Sequence, residues 1–221
     1  MNHRIKAVLM DVDDILLDWI GAFMKWYNTN KTDTPATITE LVLTYPDRRL
    51  PSSIVYEFQD TGHFENIPLL PGAKEVVQNL TNRGKLMIGV TGCGRKYATP
   101  RTAQLMRDFN GVFEKVYLVD HGHTKQDVFK EAMTTYKLTP ECIAYADDML
   151  FNCVDAAKLG MKNIGWQRRD DHKHTELPPE YEKSISLINN LYDFETLIAI
   201  ADEPNPMLRA YYKDKIASFA R

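Results

Sequence analysis

"AVLMDVDDILLDW", residues 7–19, runs from four apolar residues straight into Asp11, Asp13 and Asp14, with Asp18 close behind. Carboxylates are poor strand formers and costly to bury without partners. Placing them immediately after a hydrophobic run therefore needs an explanation beyond folding. Other runs of the same kind supply it. "IKAVLMD" at 5–11, "KLMIGVT" at 85–91, "KVYLVD" at 115–120 and "CIAYADD" at 142–148 are strand-length and almost continuously apolar, and "KNIGW" at 162–166 is a weaker fifth. Runs of this type suit strands buried on both faces of a parallel sheet. Between them lie helical patterns. Ala73, Val76, Val77 and Leu80 are spaced for one helix and stop at Gly84; Val128, Phe129, Ala132 and Met133 mark a second; Val154, Ala157 and Leu159 mark a third, ending at Gly160. Alternation of this kind predicts an α/β fold, a doubly wound, Rossmann-like parallel sheet with helices on both faces.

The interval from Trp19 to about Pro71 breaks the alternation. It contains Trp19, Phe23, Trp26 and Tyr27, a Thr-rich stretch, and "PSSIVYEFQD" at 51–60. It reads as a small helical insertion after the first strand, which divides the chain into a core of 1–17 and 72–221 and an insertion of 18–71. The tail reads as a charged loop, "QRRDDHKHTELPPEYEK", then a short edge strand and a helix within 184–200.

Composition narrows the function classes. The formal charge of −3 gives no global attraction for a nucleic-acid polymer or an anionic membrane. Cys93, Cys142 and Cys153 are odd in number and lack zinc-site spacing, which suits buried thiols in a reducing compartment. No apolar stretch approaches the length of a membrane span. The expectation is a soluble, cytoplasmic protein. His121 and His123 flank the loop before the second helical pattern and read as solvated rather than metal-binding.

In an open parallel sheet, ligands bind outside the carboxyl ends of the strands. The residues ending the apolar runs should therefore converge: Asp11 and Asp13, then Thr91, then Asp147 and Asp148, with Lys125 at the start of a helix. Clustered carboxylates suit a hard cation such as Mg²⁺, which joins them to a substrate phosphate. One carboxylate can attack phosphorus and a second can move the proton, while Thr and Lys hold the equatorial charge.

These motifs, in this order, resemble those of the haloacid dehalogenase superfamily and of its phosphatase branch, including 5′-nucleotidase-like and phosphoglycolate-phosphatase-like members with a small helical cap. The resemblance spans residues 7–166, in "LMDVDDILLD", "IGVTGCG", "HTKQDVFKEA" and "YADDMLFNCVDAAKLGM". It implies Asp11 as nucleophile and Asp13 as general acid/base, with Thr91, Gly92 and Lys125 binding phosphate. It implies Mg²⁺ held by Asp11, Asp13 (through its carbonyl) and Asp148, with Asp147 as the second acid of the pair. Position 14 is usually Gly in this pattern and is Asp here, and position 15 is Ile in place of Thr or Val; the role of Asp14 stays open. True dehalogenases lack the acid/base at position 13 and use no metal, so the resemblance favours phosphate chemistry. The expected activity is a Mg²⁺-dependent phosphomonoester hydrolase with an aspartyl-phosphate intermediate and a small phosphorylated substrate, a nucleoside monophosphate first. A sugar phosphatase, a phosphomutase and a non-catalytic phosphate-binding protein are the alternatives. Cap aromatics can stack on a nucleobase or form the cap's own core, the second being the default. Arg95 and Lys96 can meet a second anionic group or simply start a helix.

Overall fold

A computed structural model of the chain describes residues 4–46, 49–120, 124–172, 174–208 and 211. The apolar residues that precede the acids form β1 (Ala7–Met10), all four without solvent exposure. Three helices follow: α1 (Trp19–Asn30), α2 (Ile38–Leu43) and α3 (Ser52–Gln59). The alternating part then runs α4 (Ala73–Asn82), β2 (Leu86–Gly92), α5 (Ala98–Asp108), β3 (Phe113–Val119), α6 (Lys125–Thr135), β4 (Ile143–Asp147), α7 (Leu150–Lys158) and β5 (Asn163–Gln167). The edge strand β6 (Ile185–Ile188) and α8 (Leu191–Asp202) follow the charged loop. His121 and His123 lie outside the described residues.

The sheet is six-stranded and parallel throughout, in the order β3-β2-β1-β4-β5-β6. β1 is central, with Met10 level with Gly89 on one side and Ala146 on the other. Its two-residue period splits the core. Val8 and Met10 join the apolar cluster that contains Val76, Val77 and Leu80 of α4 and Phe194, Leu197 and Ile198 of α8. Ala7 and Leu9 join the opposite cluster with Val128, Phe129 and Ala132 of α6 and Cys153 and Ala156 of α7. All three cysteines are free and buried, as their spacing suggests. The α5 crossover is the helix whose body the sequence reading leaves unspecified. Its inward residues are Arg101, Gln104 and Leu105, so apolar periodicity alone does not reveal it.

Residues 11–18 carry the chain from the sheet into the helical insertion. The Leu17 N–H donates to Val12 O at 2.9 Å, and Asp14 sits at φ +59°. Asp tolerates this left-handed conformation better than most residues. Entry and exit of the insertion run side by side, with Asp18 N donating to Pro68 O at 2.8 Å and Leu70 N to Leu16 O at 2.9 Å. Asp18 then caps α1 by accepting from Gly21 N at 2.9 Å. Within the insertion the aromatics pack on one another. Phe23 stacks on Trp19 at 4.9 Å between ring centroids, and Phe58 meets both rings edge-on. Trp26 and Tyr27 complete the group, which is the insertion's own core rather than a stacking surface for a ligand.

Packing of β5 against α8 is tight. A Cβ at Gly165 would lie 2.8 Å from Phe194 Cδ2 and 2.9 Å from Ile188 Cδ1. Gly165→Ala is expected to destabilise the fold by about 1–3 kcal/mol, read from the midpoint of urea unfolding at unchanged slope.

Candidate active site

The strand ends bring the acids of the sequence motifs together. Asp11 follows β1 directly, Asp147 closes β4 and Asp148 succeeds it; ligand atoms of all three lie within 4.8 Å of one another, and all three residues are buried. Lys125, the first residue of α6, places its Nζ 2.8 Å from Asp11 Oδ1 and 2.7 Å from Asp147 Oδ2. Thr124 and Asp127 form a capping box that fixes this helix start. Burial works against the Lys125 ammonium, but Asp11 and Asp147 outweigh it and hold its pKa above the usual lysine value.

Asp147 is saturated. Its Oδ1 accepts from Met149 N at 2.8 Å and Asn152 Nδ2 at 3.1 Å, and its Oδ2 takes Lys125, the Tyr145 hydroxyl and Asn152. Asp11 Oδ1 accepts from Lys125 and from Val12 N at 2.8 Å. Both contacts fall on one oxygen, which leaves Oδ2 as the nucleophilic candidate. Asp148 has its main chain pinned by Trp166 Nε1, which donates to its carbonyl at 3.0 Å. Its Oδ2 lies 2.7 Å from Arg169 NH1. Burial, and then Asp147, push the Asp148 carboxyl up to about 7 against the pull of Arg169. Asp11 is likewise raised well above the normal carboxylate range, by burial first, with Lys125 opposing.

Asp13 lies on the same loop, half-buried, with Arg101 NH2 2.9 Å from its Oδ1 but not in hydrogen-bonding alignment. Burial raises its pKa against Arg101 and Lys125. Arg101 is fully buried, donates through NH1 to Gln104 Oε1 at 3.0 Å and lies 4.1 Å from the Phe64 ring centroid. Its Nε and NH2 have no hydrogen-bond acceptor, and the buried Thr91 hydroxyl also lacks a partner. The β1–β2 register places Thr91 level with the loop after β1. Buried donors without partners beside an acidic loop are suited to an anion. Gly92 is exposed and nothing lies within 4 Å of where its Cβ would be, so its backbone is open to a ligand.

Sequence reasoning missed Arg101, Tyr145 and Arg169. Tyr145 was findable, being two residues before Asp147 on the same strand. Arg169 was findable by extending the strand-end rule to the fifth run. Arg101 has the weakest signal, sharing a helix face with Gln104 and Leu105.

The contact network holds six carboxylates, those of Asp11, Asp13, Asp14, Asp147, Asp148 and Asp171, against the cations Lys125, Arg101 and Arg169. This grouping of hard oxygen donors fits a divalent cation held by Asp11 and Asp148 with Asp147 adjacent.

No protein-family model and no curated protein sequence matches the chain. Solved structures do. HAD-hydrolase YfnB from Bacillus subtilis, in a structure bound to magnesium, superposes with a TM-score of 0.64 at 15% identity, over 88% of this chain and 99% of that one. The chain has the haloacid dehalogenase fold. A dehalogenase with an intermediate complex gives a TM-score of 0.62 at 13% identity, covering 89% and 98%. CbbY from Rhodobacter sphaeroides, in complex with phosphate, gives 0.59 at 16%, covering 87% and 96%. The fold thus serves both carbon–halogen and phosphate ligands among its neighbours, and only the residues of the site can separate them. No helix among the described residues is long and apolar enough to cross a membrane.

The raised carboxyls have a stability consequence. Asp14 and Asp148 titrate near about 7 when folded and near 3.8 when unexposed to the fold. The folded state therefore binds more protons between these values, and stability falls as pH rises through about 7. Chemical denaturation in chelator should show this fall between about pH 4 and about pH 7, and a saturating divalent cation should flatten it.

Proposed function

We propose that this haloacid dehalogenase-fold chain is a hydrolase of phosphomonoesters that uses Mg²⁺ and forms an aspartyl-phosphate on Asp11. The observation that carries this reading is the convergence of Asp11, Asp147 and Asp148 within 4.8 Å, with a further acid, Asp13, on the loop after β1. Carbon–halogen cleavage needs neither the cation site nor Asp13. The magnesium in the Bacillus structure and the phosphate in the Rhodobacter structure support the same choice.

The residues divide the work as follows. Asp11 Oδ2 attacks phosphorus while the bond to the leaving oxygen breaks, and Asp13 gives that oxygen its proton. Asp13, now ionised, takes a proton from water as the water oxygen attacks phosphorus and the Asp11–phosphorus bond breaks, releasing phosphate. Lys125 neutralises Asp11 and Asp147 and fixes the attack direction. Thr91 Oγ, the Gly92 N–H and the Arg101 guanidinium, whose Nε has no acceptor, donate to phosphoryl oxygens as charge builds. Asp148 and Asp11 would hold the cation, which when bound shields the carboxylates from the substrate's charge.

The helices of the insertion act as the cap. Between α3 and the loop after β2 lies a pocket of about 390 Å³, lined by Leu50, Val55, Tyr56, Gln59, Gly92 and Cys93 among others. Gln59 is buried and its Oε1 has no partner. A leaving group with an apolar face and an N–H donor suits this wall, as a nucleoside does, so a nucleoside monophosphate is the substrate proposed. Trp19, Phe23, Trp26 and Tyr27 are excluded as the stacking surface, being packed on one another.

Phosphate release from nucleoside monophosphates and sugar phosphates is the test. Chelator should abolish turnover, and Asp11→Asn should lower it by about four orders of magnitude or more. Turnover retained by that variant would refute the role of Asp11. Gln59→Ala should raise KM for the preferred nucleotide about tenfold and leave kcat nearly unchanged. Equal KM values across nucleotide and sugar substrates would rule out the nucleoside assignment.

A further inference from the structure

Among the described residues of the site, Arg169 is the cation that the proposed chemistry does not use. It follows β5, and its side chain is about one-fifth exposed while Asp148 behind it is almost completely covered. Its guanidinium makes two separate attachments. Nε and NH2 fork onto the Asp171 carboxylate at 2.9 and 2.5 Å, a bidentate clamp. NH1 lies 2.7 Å from Asp148 Oδ2 and 3.4 Å from Asp14 Oδ2.

Asp147 has both oxygens committed to Lys125, Tyr145, Asn152 and the Met149 N–H. Asp148 is therefore the acid of the pair that a divalent cation can take, and NH1 already holds one of its oxygens, Oδ2. A guanidinium and a metal ion on one buried carboxylate lie close enough to repel each other. The Asp171 clamp and Asp14 would still hold the guanidinium if NH1 let go of Asp148.

Asp14 gains a purpose on this view. It accepts from Ile20 N at 2.9 Å, at the first turn of α1, and offers its other oxygen to Arg169. Where the resembling motif has glycine, this chain has placed a carboxylate able to receive the displaced NH1.

We infer that Arg169 gates the divalent-cation site: it occupies Asp148 in the metal-free protein and, still clamped by Asp171, shifts NH1 fully onto Asp14 when the cation binds. This rests on the divalent-cation reading of the site. The gate lowers affinity for the cation, because binding must first break the Arg169–Asp148 pair. It also protects the metal-free fold, because Asp148 is never left buried and uncompensated.

Isothermal titration of Mg²⁺ into the wild-type chain, Arg169→Gln and Arg169→Lys, without substrate, tests the gate, with thermal unfolding in chelator and in saturating Mg²⁺ alongside. Arg169→Gln should bind Mg²⁺ about tenfold more tightly than the wild type or better, with Arg169→Lys in between. It should melt lower than the wild type in chelator and show the larger upward shift on adding Mg²⁺. If Arg169→Gln does not fold in chelator, the comparison rests on Arg169→Lys, which should still bind more tightly than the wild type. Equal or weaker affinity in the variants, with clear binding by the wild type, overturns the gate and leaves the cation site standing. Absence of binding in every form overturns both.

Discussion

A lysine ammonium sits 2.8 Å from Asp11 and 2.7 Å from Asp147, and all three side chains are almost fully removed from water. With little solvent to screen them, the carboxylates at the end of β1 and β4 would repel strongly if both were charged and unpaired. Lys125 pairs with both. It also ties α6 to the sheet, because the ammonium can reach both acids only if the helix begins where its capping box starts it. The arrangement of the core and the orientation of Asp11 therefore follow from one ion triplet. Tyr145, Asn152 and the Met149 N–H then fix the Asp147 carboxylate in place.

Much of this was readable from the chain because strand interiors buried on both faces are written in apolar residues without interruption. β1, β2, β3, β4 and β5 all appear as such runs, and their polar ends name Asp11, Thr91, Asp147 and Asp148. The strand-end rule breaks down where the polar partner comes from a residue that looks like surface. Arg101 and Arg169 have the composition of solvated positions, yet one is fully buried against Phe64 and the other spans three carboxylates. Such residues are placed by tertiary contacts formed across more than 80 and 150 positions of chain, which no local pattern records. Asp14 was legible as an oddity and became intelligible only with Arg169 beside it.

The insertion shows the converse. Its aromatics are conspicuous in sequence and invite a ligand, but Trp19, Phe23, Trp26 and Phe58 occupy one another's faces and edges. A group of three short helices has few residues with which to build a core, and large rings are the means available. What remains for recognition is the less conspicuous wall of Val55, Tyr56 and Gln59 on the side of α3 that faces the loop after β2. Asp60, just beyond α3, meets Lys96 and the Tyr97 hydroxyl from the core, so this wall is fastened at one end to the loop it faces. Lys96 is paired with Asp60 there, in an exposed ion pair.

The paired stems at Leu16–Asp18 and Pro68–Leu70 carry a consequence for the rest of the fold. Their hydrogen bonds bring the two ends of the inserted segment together independently of what lies between. The entropy of closing a loop grows only logarithmically once its ends are held, so lengthening or replacing the segment costs the sheet little. A change in the inserted segment therefore leaves every acid at the strand ends in its place.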